Sequence, residues 1–221
     1  MSRTIKAIPA LAALVALLAA LPGCGGSDST STAPNETARP VEVDAGPPRA
    51  TIRVPGGEFT IEFRPEAAPV SCANFINLVR RGFYDGQAFY RHSRVIRQAG
   101  NPWGESGRWD PGYRISPEFS PDLRFDRAGM VALVREADDV RAPVRPNEFF
   151  VTTKPQSERF TFFYPVFAEV VEGQQVVDAI RPDEKIVAIE LSGDVDSILE
   201  AQADLVEEWN RRLDAAPPLA R

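Results

Sequence analysis

The sequence predicts a mainly β fold in which many short strands and two helices form a closed or nearly closed barrel. Short runs rich in β-branched and aromatic residues recur between residues 51 and 191, separated by turns of Gly, Pro and Asp. Only two segments in this range show the spacing of apolar residues that is typical of a helix. A sheet of many short strands protects its edges by curling into a barrel.

The elements follow one another in chain order. The expected strands are residues 51–54, 58–63, 89–91, 129–134, 148–153, 165–171 and 185–191. Pro69 is suited to the first position of a helix, and Gly82 is suited to its end. A second short helix is marked by Val176, Val177 and Ile180, and residues 101–127 are expected to be loop. The predicted core consists of Phe59, Ile61, Phe75, Leu78, Phe89, Val131, Leu133, Phe149, Val151, Phe167 and Val170.

The last segment has a different pattern, with apolar residues on one face of a helix from Val195 to Leu213 and Asp194 as its N-cap. Two roles are open for it. The helix packs on the outside of the barrel, or its apolar face, with Trp209, binds a partner.

The N-terminus has the order of a secretory signal, with Arg3 and Lys6 before the apolar run 7–21. Small residues then precede Cys24, which resembles a bacterial lipoprotein signal with lipid attached to that cysteine. An ordinary secretory signal with an incidental cysteine is the alternative. Residues 25–50 are rich in Ser, Thr, Pro and Gly and are expected to form a disordered tether.

Composition excludes several classes of function. Cleavage after residue 23 would remove two basic groups from a net charge of −6 and leave −8, which disfavours nucleic acid as a partner. Membrane contact is therefore expected through the lipid alone. The single histidine, His92, and the two cysteines make a zinc site or a Ser-His-Asp triad implausible, and no metal or cofactor is expected. Cys72 is expected to be a buried free thiol.

Arg91 is the residue on which the functional argument depends. If residues 89–91 form a strand, Phe89 and Arg91 point to the same face. A half-buried guanidinium cannot lose its proton, so it must be paired or used. Gln98 is a plausible partner, because its amide oxygen can accept a hydrogen bond. The alternative is a surface arginine that pairs with a carboxylate.

An ordered set of motifs over residues 51–191 resembles the cyclophilin-type peptidyl-prolyl isomerases. These motifs are GFYDGQAFYR (82–91), QAGNP (98–102), PEF (117–119), DRAG (126–129), FFVT (149–152) and the segment 166–180. The resemblance implies an eight-stranded antiparallel β-barrel capped by two helices, here followed by a C-terminal helix. It also implies catalysis by Arg91, oriented by Gln98, with Phe150 at the floor of a proline pocket.

The chain departs from the family at several positions that line this pocket. Val95 and Ile96 stand for a Phe-Met pair, Arg135 stands for an asparagine, and Glu148 stands for a glutamine. A tryptophan and a histidine form the far wall of the pocket in the family. Here Arg159 or Phe160 is expected at the first of these positions, and Tyr164 at the second. The family's asparagine acts partly through its backbone, and Arg135 can still supply the same backbone groups. Glu148 is expected to compete for Arg91, because a charge-assisted hydrogen bond is stronger than a neutral one.

The resemblance therefore implies one of two functions. The first is a peptidyl-prolyl isomerase that assists folding of proline-containing envelope polypeptides, with low activity. The second is a binding module of the same fold that has lost catalysis. In both cases we expect a monomer that is lipid-anchored to the outer face of a bacterial membrane, which is the periplasmic side of the outer membrane if two membranes are present. The expected organisation is a signal peptide (1–23), a tether (24–50), a cyclophilin-like domain (51–192) and a C-terminal helical extension (193–221).

Overall fold

The computed structural model describes residues 46–219. The predicted signal peptide, the predicted lipidation site Cys24 and the predicted tether as far as residue 45 lie outside the described residues. The first strand begins at Arg49, two residues before the start of the strand predicted over residues 51–54.

Eight antiparallel strands form one curled sheet. The strands are β1 (Arg49–Val54), β2 (Gly57–Phe63), β3 (Arg91–His92), β4 (Ile96–Ala99), β5 (Met130–Arg135), β6 (Val144–Thr152), β7 (Val166–Glu172) and β8 (Ala188–Ser192). Their order across the sheet is β3-β4-β6-β5-β7-β2-β1-β8. The predicted hairpin around residues 55–57 joins β1 to β2.

The two edge strands, β3 and β8, are brought together by the chain that precedes each of them. Ala88 and Lys185 form an antiparallel bridge, and Phe89 N donates to Glu184 O over 2.9 Å. The backbone of this connection therefore satisfies hydrogen-bonding groups that an open edge would leave free. The predicted mainly β fold is confirmed, with eight antiparallel strands in one curled sheet.

Helix α1 (Pro69–Arg80) begins and ends where the sequence predicts. Its N-cap residue, Ala68, has no side chain that can accept a hydrogen bond, and the carboxylate of Glu118 replaces it. Glu118 accepts from Val70 N over 3.1 Å and from Ser71 N over 2.8 Å. A loop residue thus satisfies two of the amides that every helix leaves unpaired at its start.

The core lies between α1 and the concave side of the sheet. Phe75 of α1 packs against Tyr84, Phe167 and Phe149, with ring centroids 5.0, 5.2 and 5.3 Å away. Ten of the eleven predicted core residues are at most 1 % exposed, and Val170 is partly buried. Cys72 is a buried free thiol, as predicted, and burial raises its pKa well above the ordinary range.

Three short helices lie on the remaining connections: α2 (Ser157–Phe160), α3 (Gln174–Ala179) and α4 (Val195–Glu200). A longer helix, α5 (Ala203–Ala215), follows α4. The single C-terminal helix predicted by the sequence is therefore two helices, and Asp194 caps the first by accepting from Ser197 N over 3.2 Å.

The C-terminal helices pack on the body of the barrel. Trp209 is 3 % exposed and stacks on Tyr113 with ring centroids 5.6 Å apart. Trp109 donates from Nε1 to Pro217 O over 2.8 Å. Of the two roles left open, packing on the barrel is the one that the structure shows, and Trp209 is part of the main core cluster.

Candidate functional site

Arg91, Gln98 and Phe150 form a row across three neighbouring strands. Arg91 of β3 is the register partner of Gln98 of β4, which is in turn the partner of Phe150 of β6. Residues opposite each other in an antiparallel sheet present their side chains to the same face. Strand pairing therefore places the three residues side by side.

This row lines a groove with a volume of about 1120 Å³. The structure brings all nine residues that the sequence predicted for the site into its lining. They are Arg91, Gln98, Val95, Ile96, Arg135, Glu148, Phe150, Phe160 and Tyr164. Their roles in catalysis and binding stay predictions.

Aromatic rings form the apolar part of the groove. Phe150 is 2 % exposed and packs against Phe125 behind it, with centroids 6.0 Å apart. Phe160 and Tyr164 meet Phe150 edge-on, at 5.8 and 5.1 Å. The structure brings both rings to this wall, Phe160 from α2 and Tyr164 from the turn that follows it.

Arg91 is exposed at the rim of the groove. Its Nη1 donates to Gln98 Oε1 over 3.4 Å, as predicted. The expectation that Phe89 shares its face is wrong: Phe89 is fully buried in the core, because β3 begins only at Arg91 and the preceding residues are irregular. Strand alternation does not apply across that boundary.

Glu148 does not pair with Arg91, contrary to the prediction. Its Oε1 accepts from Arg145 Nη1 over 2.8 Å, and its Oε2 accepts from Tyr90 OH over 2.5 Å and from Gln98 Nε2 over 3.1 Å. Glu148 and Arg145 have side chains only 2 % and 10 % exposed. The carboxylate is thus satisfied beneath the groove, where it holds Gln98 and not Arg91.

A break in strand pairing makes this arrangement possible. Leu133 pairs with Phe149, but the next residue of β5, Val134, pairs with Arg145. Residues 146–148 of β6 therefore form a bulge, which begins at a proline that has no amide hydrogen to donate to a ladder. In a regular strand residues three apart point to opposite faces, whereas here Arg145 and Glu148 meet.

Gly100, at the end of β4, lies against this bulge. Its φ is +96°, and a Cβ on it would lie 1.9 Å from Asn147 O. Asn147 Nδ2 in turn donates to Gly100 O over 2.6 Å. Glycine is required at this position by both the backbone conformation and the close approach.

The hydroxyl of Tyr90 completes the polar network. It donates to Glu148 and accepts a short hydrogen bond from Gln98 Nε2. Burial, and then the nearby charge of Glu148, raise the pKa of Tyr90 far above its ordinary value. The phenol therefore keeps its proton at neutral pH and remains a donor to Glu148.

Arg135 lines the wall of the groove with its side chain, and not only through its backbone as expected. The guanidinium lies over the rings of Tyr164 and Phe163, with Cζ 4.9 and 5.4 Å from their centroids. Its Nη2 donates to Asp138 over 2.9 Å. The Nε and Nη1 atoms are buried and have no hydrogen-bond partner among residues 46–219.

Sequence reasoning missed Tyr90 and Arg145, which hold Glu148 and Gln98 in place. Tyr90 lies in the motif at residues 82–91, but no role was predicted for its side chain. Arg145 lies between the expected strands 129–134 and 148–153, where no element was predicted, and its distance of three residues from Glu148 argues against contact on a regular strand. Pro146 between them was a usable signal for a bulge.

The described residues show neither a metal-binding cluster nor a membrane-spanning helix. Among residues 46–219 no group of three or more His, Cys, Asp or Glu side chains is arranged to hold a metal ion. In the same part of the chain no helix has the length and apolar character needed to cross a bilayer.

Comparison with known proteins agrees with this geometry. The family model described as cyclophilin type peptidyl-prolyl cis-trans isomerase matches residues 49–197. Peptidyl-prolyl cis-trans isomerase CYP18-2 of Arabidopsis thaliana is 29% identical over 64% of this chain and 83% of its own length. Peptidyl-prolyl cis-trans isomerase A of Mycobacterium tuberculosis is 29% identical over 69% of this chain and 85% of its own length.

Solved structures show the same fold. A cyclophilin type peptidyl-prolyl cis-trans isomerase of Cryptosporidium parvum superposes with a TM-score of 0.61 at 20% identity, covering 66% of this chain and 98% of its own. A structure of that protein determined in the presence of the dipeptide Ala-Pro superposes with a TM-score of 0.58, at 21% identity, over 64% of this chain and 96% of its own.

Proposed function

The chain belongs to the family of cyclophilin-type peptidyl-prolyl cis-trans isomerases, and on that premise we propose that it catalyses the rotation of X–Pro peptide bonds. The aromatic pocket on Phe150 would receive the proline ring. A neighbour of the same fold was determined in the presence of a proline dipeptide, which supports proline-containing segments as the ligand class.

The reaction requires neither a covalent step nor a cofactor. Resonance gives the peptide C–N bond a rotational barrier of ~18–20 kcal/mol, so any group that draws the nitrogen lone pair out of resonance lowers the barrier. A guanidinium near the proline nitrogen does so, because it binds the pyramidal nitrogen of the twisted state better than the planar one. Such an interaction stabilises the transition state more than the substrate.

The observation that carries this proposal is that the two acceptors near Arg91, Glu148 and Gln98, bind different partners. Glu148 is engaged by Arg145, Tyr90 and Gln98, while Arg91 bonds to the neutral oxygen of Gln98. A neutral acceptor orients the guanidinium without neutralising its charge. The charge of Arg91 is therefore available at the groove, in register with the proline pocket.

Substitution of Arg91 tests the activity. Arg91→Ala should lower kcat/KM for a proline peptide by about a hundredfold, since the loss of one preorganised donor is typically worth about 3 kcal/mol and each 1.36 kcal/mol is tenfold. Arg181→Ala is the matched control, because this exposed arginine does not line the groove. NMR exchange on several X–Pro peptides gives the rates, and circular dichroism checks the fold.

The same experiment separates the two functions left open by the sequence. If wild type and Arg91→Ala are folded and give indistinguishable rates with every peptide, the groove is a binding module that does not catalyse. A large difference supports the isomerase.

We propose further that the protein assists folding in the cell envelope as a lipoprotein anchored at Cys24. The support is the order of basic residues, apolar run and cysteine at the N-terminus. Cys24→Ala should move the protein from the membrane fraction to the soluble fraction and abolish incorporation of labelled fatty acid. A native protein that carries no lipid would contradict the anchor and leave the isomerase proposal intact.

A further inference from the structure

The groove is basic in a protein that is acidic as a whole. Six arginines and four acidic residues line it, whereas the full chain has a net charge of −6. The arginines are Arg91, Arg94, Arg108, Arg135, Arg145 and Arg159, and the acids are Glu105, Glu136, Asp138 and Glu148. The charges of the groove therefore differ in sign from those of the rest of the molecule.

Three of the four acids in the lining form an ion pair with an arginine. Glu148 pairs with Arg145 and Asp138 with Arg135, both within the lining. Glu136 is bound by Arg114, which lies outside the groove, through contacts of 2.8 and 3.0 Å. These contacts with Arg114 lower the pKa of Glu136, so it stays ionised and paired at neutral pH.

Four of the arginines in the lining have no ion-pair partner among the described residues. Within residues 46–219, no carboxylate forms an ion pair with any of them. They are Arg91, Arg94, Arg108 and Arg159. Arg91 belongs to the proposed catalytic row, but Arg94, Arg108 and Arg159 have no part in it. Arg94 lies in the turn just before Val95, and Arg159 lies in α2 just before Phe160, so both adjoin the proline pocket.

Arg135 adds a buried charge to the wall. It is 9 % exposed, and two of its nitrogens have no hydrogen-bond partner among the described residues. Its one carboxylate partner, Asp138, has a side chain that is 98% exposed, and such a pair contributes little. A charge held in a partly desolvated wall is screened less than one in solvent.

We propose that this groove selects proline-containing segments that carry acidic side chains beside the proline. This inference rests on the proposed function only in taking the Phe150 pocket as the proline site. Carboxylates next to the proline would meet Arg94 and Arg159 at the rim, where a guanidinium can bind a carboxylate through two parallel hydrogen bonds. The field of the groove would also speed the approach of acidic segments.

Three peptides blocked at both ends test the preference: Glu-Ala-Pro-Glu, Gln-Ala-Pro-Gln and Lys-Ala-Pro-Lys. NMR titration gives the dissociation constants and NMR exchange gives kcat/KM. At low salt we expect the acidic peptide to bind about three- to tenfold more tightly than the neutral one, and the basic peptide to bind most weakly. The difference should shrink in about 1 M salt, where the Debye length is ~3 Å.

Variants assign the preference to the rim. In the double variant Arg94→Gln/Arg159→Gln the ratio of acidic to neutral affinity should fall to about a third of its wild-type value. Both residues are exposed, so folding should be preserved, and Arg181→Gln, which lies outside the groove, should leave the ratio unchanged.

Several results would overturn the inference: equal affinity for the acidic and neutral peptides at low salt, tighter binding of the basic peptide, or an unchanged ratio in the double variant. Absence of exchange with every peptide would instead contradict the proposed activity. Because the affinity ranking is measured without turnover, the two failures are distinguishable.

Discussion

Arg145 Nη1 donates to Glu148 Oε1 over 2.8 Å, although the two residues lie three apart on one strand. The bulge at residues 146–148 turns both side chains to the same side of β6. Because the pair is buried, neither charge can be satisfied by water if the other is removed. The negative charge of Glu148, which stands where the family has a glutamine, is therefore balanced by the positive charge of Arg145.

Neutralising Glu148 should be harmful. Glu148→Gln leaves Arg145 buried without its counter-charge, so we expect a loss of about 3–5 kcal/mol in the free energy of unfolding. The proposed isomerase activity should fall as well, since Gln98 and Tyr90 lose their shared anionic acceptor. Urea denaturation gives the stability, and peptide exchange by NMR gives the rate.

The double variant Glu148→Gln/Arg145→Met serves as the control for this prediction. Removing both charges together should recover most of the lost stability, because no buried charge is then left without its partner. A single Glu148→Gln variant that is as stable as wild type, or more active, would show that Glu148 competes for Arg91 as the sequence suggested.

The fold could be read largely from the sequence because its signals are local. Pro69, Gly82 and the alternating strands each determine their own element, and the predicted core residues proved to be buried. Boundaries failed where a distant partner decides them. The strand β6 reaches back to Val144 because Ile115 and Arg135 pair with that residue, and neither pairing is visible in the local pattern.

The sequence predicted which residues line the site, but not which hydrogen bonds and ion pairs join them. Strand register brings Arg91, Gln98 and Phe150 together, and the motifs carry that register. The partner of Glu148 depends on a bulge, and a shift of pairing changes the direction of every side chain within it. Because the bulge was not predicted from the sequence, Glu148 was predicted to bind Arg91 and no role was predicted for Arg145.

Gly100 is expected to tolerate no side chain. A Cβ at this position would collide with Asn147 O at 1.9 Å, and the backbone has φ +96°. Gly100→Ala should therefore cost more than about 2 kcal/mol, because the bulge must move in addition to the strain of a positive φ. Thermal or urea denaturation measures the loss.

Gly86 provides a matched control, because it has φ +76° and no atom lies within 4 Å of the position that a Cβ would take. Gly86→Ala should lose only the conformational cost of a left-handed residue, about 1–2 kcal/mol. Equal losses in the two variants would mean that the approach of Gly100 to the bulge contributes nothing.

The C-terminal helix α5 should contribute to stability through Trp209. This side chain is 3 % exposed and stacks on Tyr113, so Trp209→Ala should lower the free energy of unfolding by about 3–5 kcal/mol. Leu205→Ala on the same helix is the control, since Leu205 is 39 % exposed and should cost less than about 1 kcal/mol. Similar small losses in both would indicate that α5 is not part of the core.

His92 should make stability depend on pH below about 6.5, the ordinary pKa of a histidine. Burial, and then the charge of Arg97, lower the pKa of His92 below its ordinary 6.5. Its Nε2 is buried and has no hydrogen-bond partner in residues 46–219 that would accept a proton from it. The folded protein therefore resists protonation that the unfolded chain accepts.

The direction of the pH effect follows from this difference. Above pH 6.5 the imidazole is neutral in both states and its contribution is fully present. As the pH falls below 6.5 the unfolded chain binds a proton first, so the free energy of unfolding decreases until the pH passes the folded-state pKa. Isolated carboxylates titrate mainly below pH 5, with ordinary values of about 3.9 for Asp and 4.3 for Glu.

Urea denaturation at pH 7.5, 6.5 and 5.5 measures the slope, with His92→Gln as the comparison. We expect wild type to lose stability over this range and His92→Gln to lose less, because His92 is the single histidine of the chain. For the same reason the imidazole Hε1 resonance reports its pKa directly by NMR. An imidazole that titrates at or above 6.5, or identical slopes in the two proteins, would contradict the assignment of this pH dependence to burial of His92.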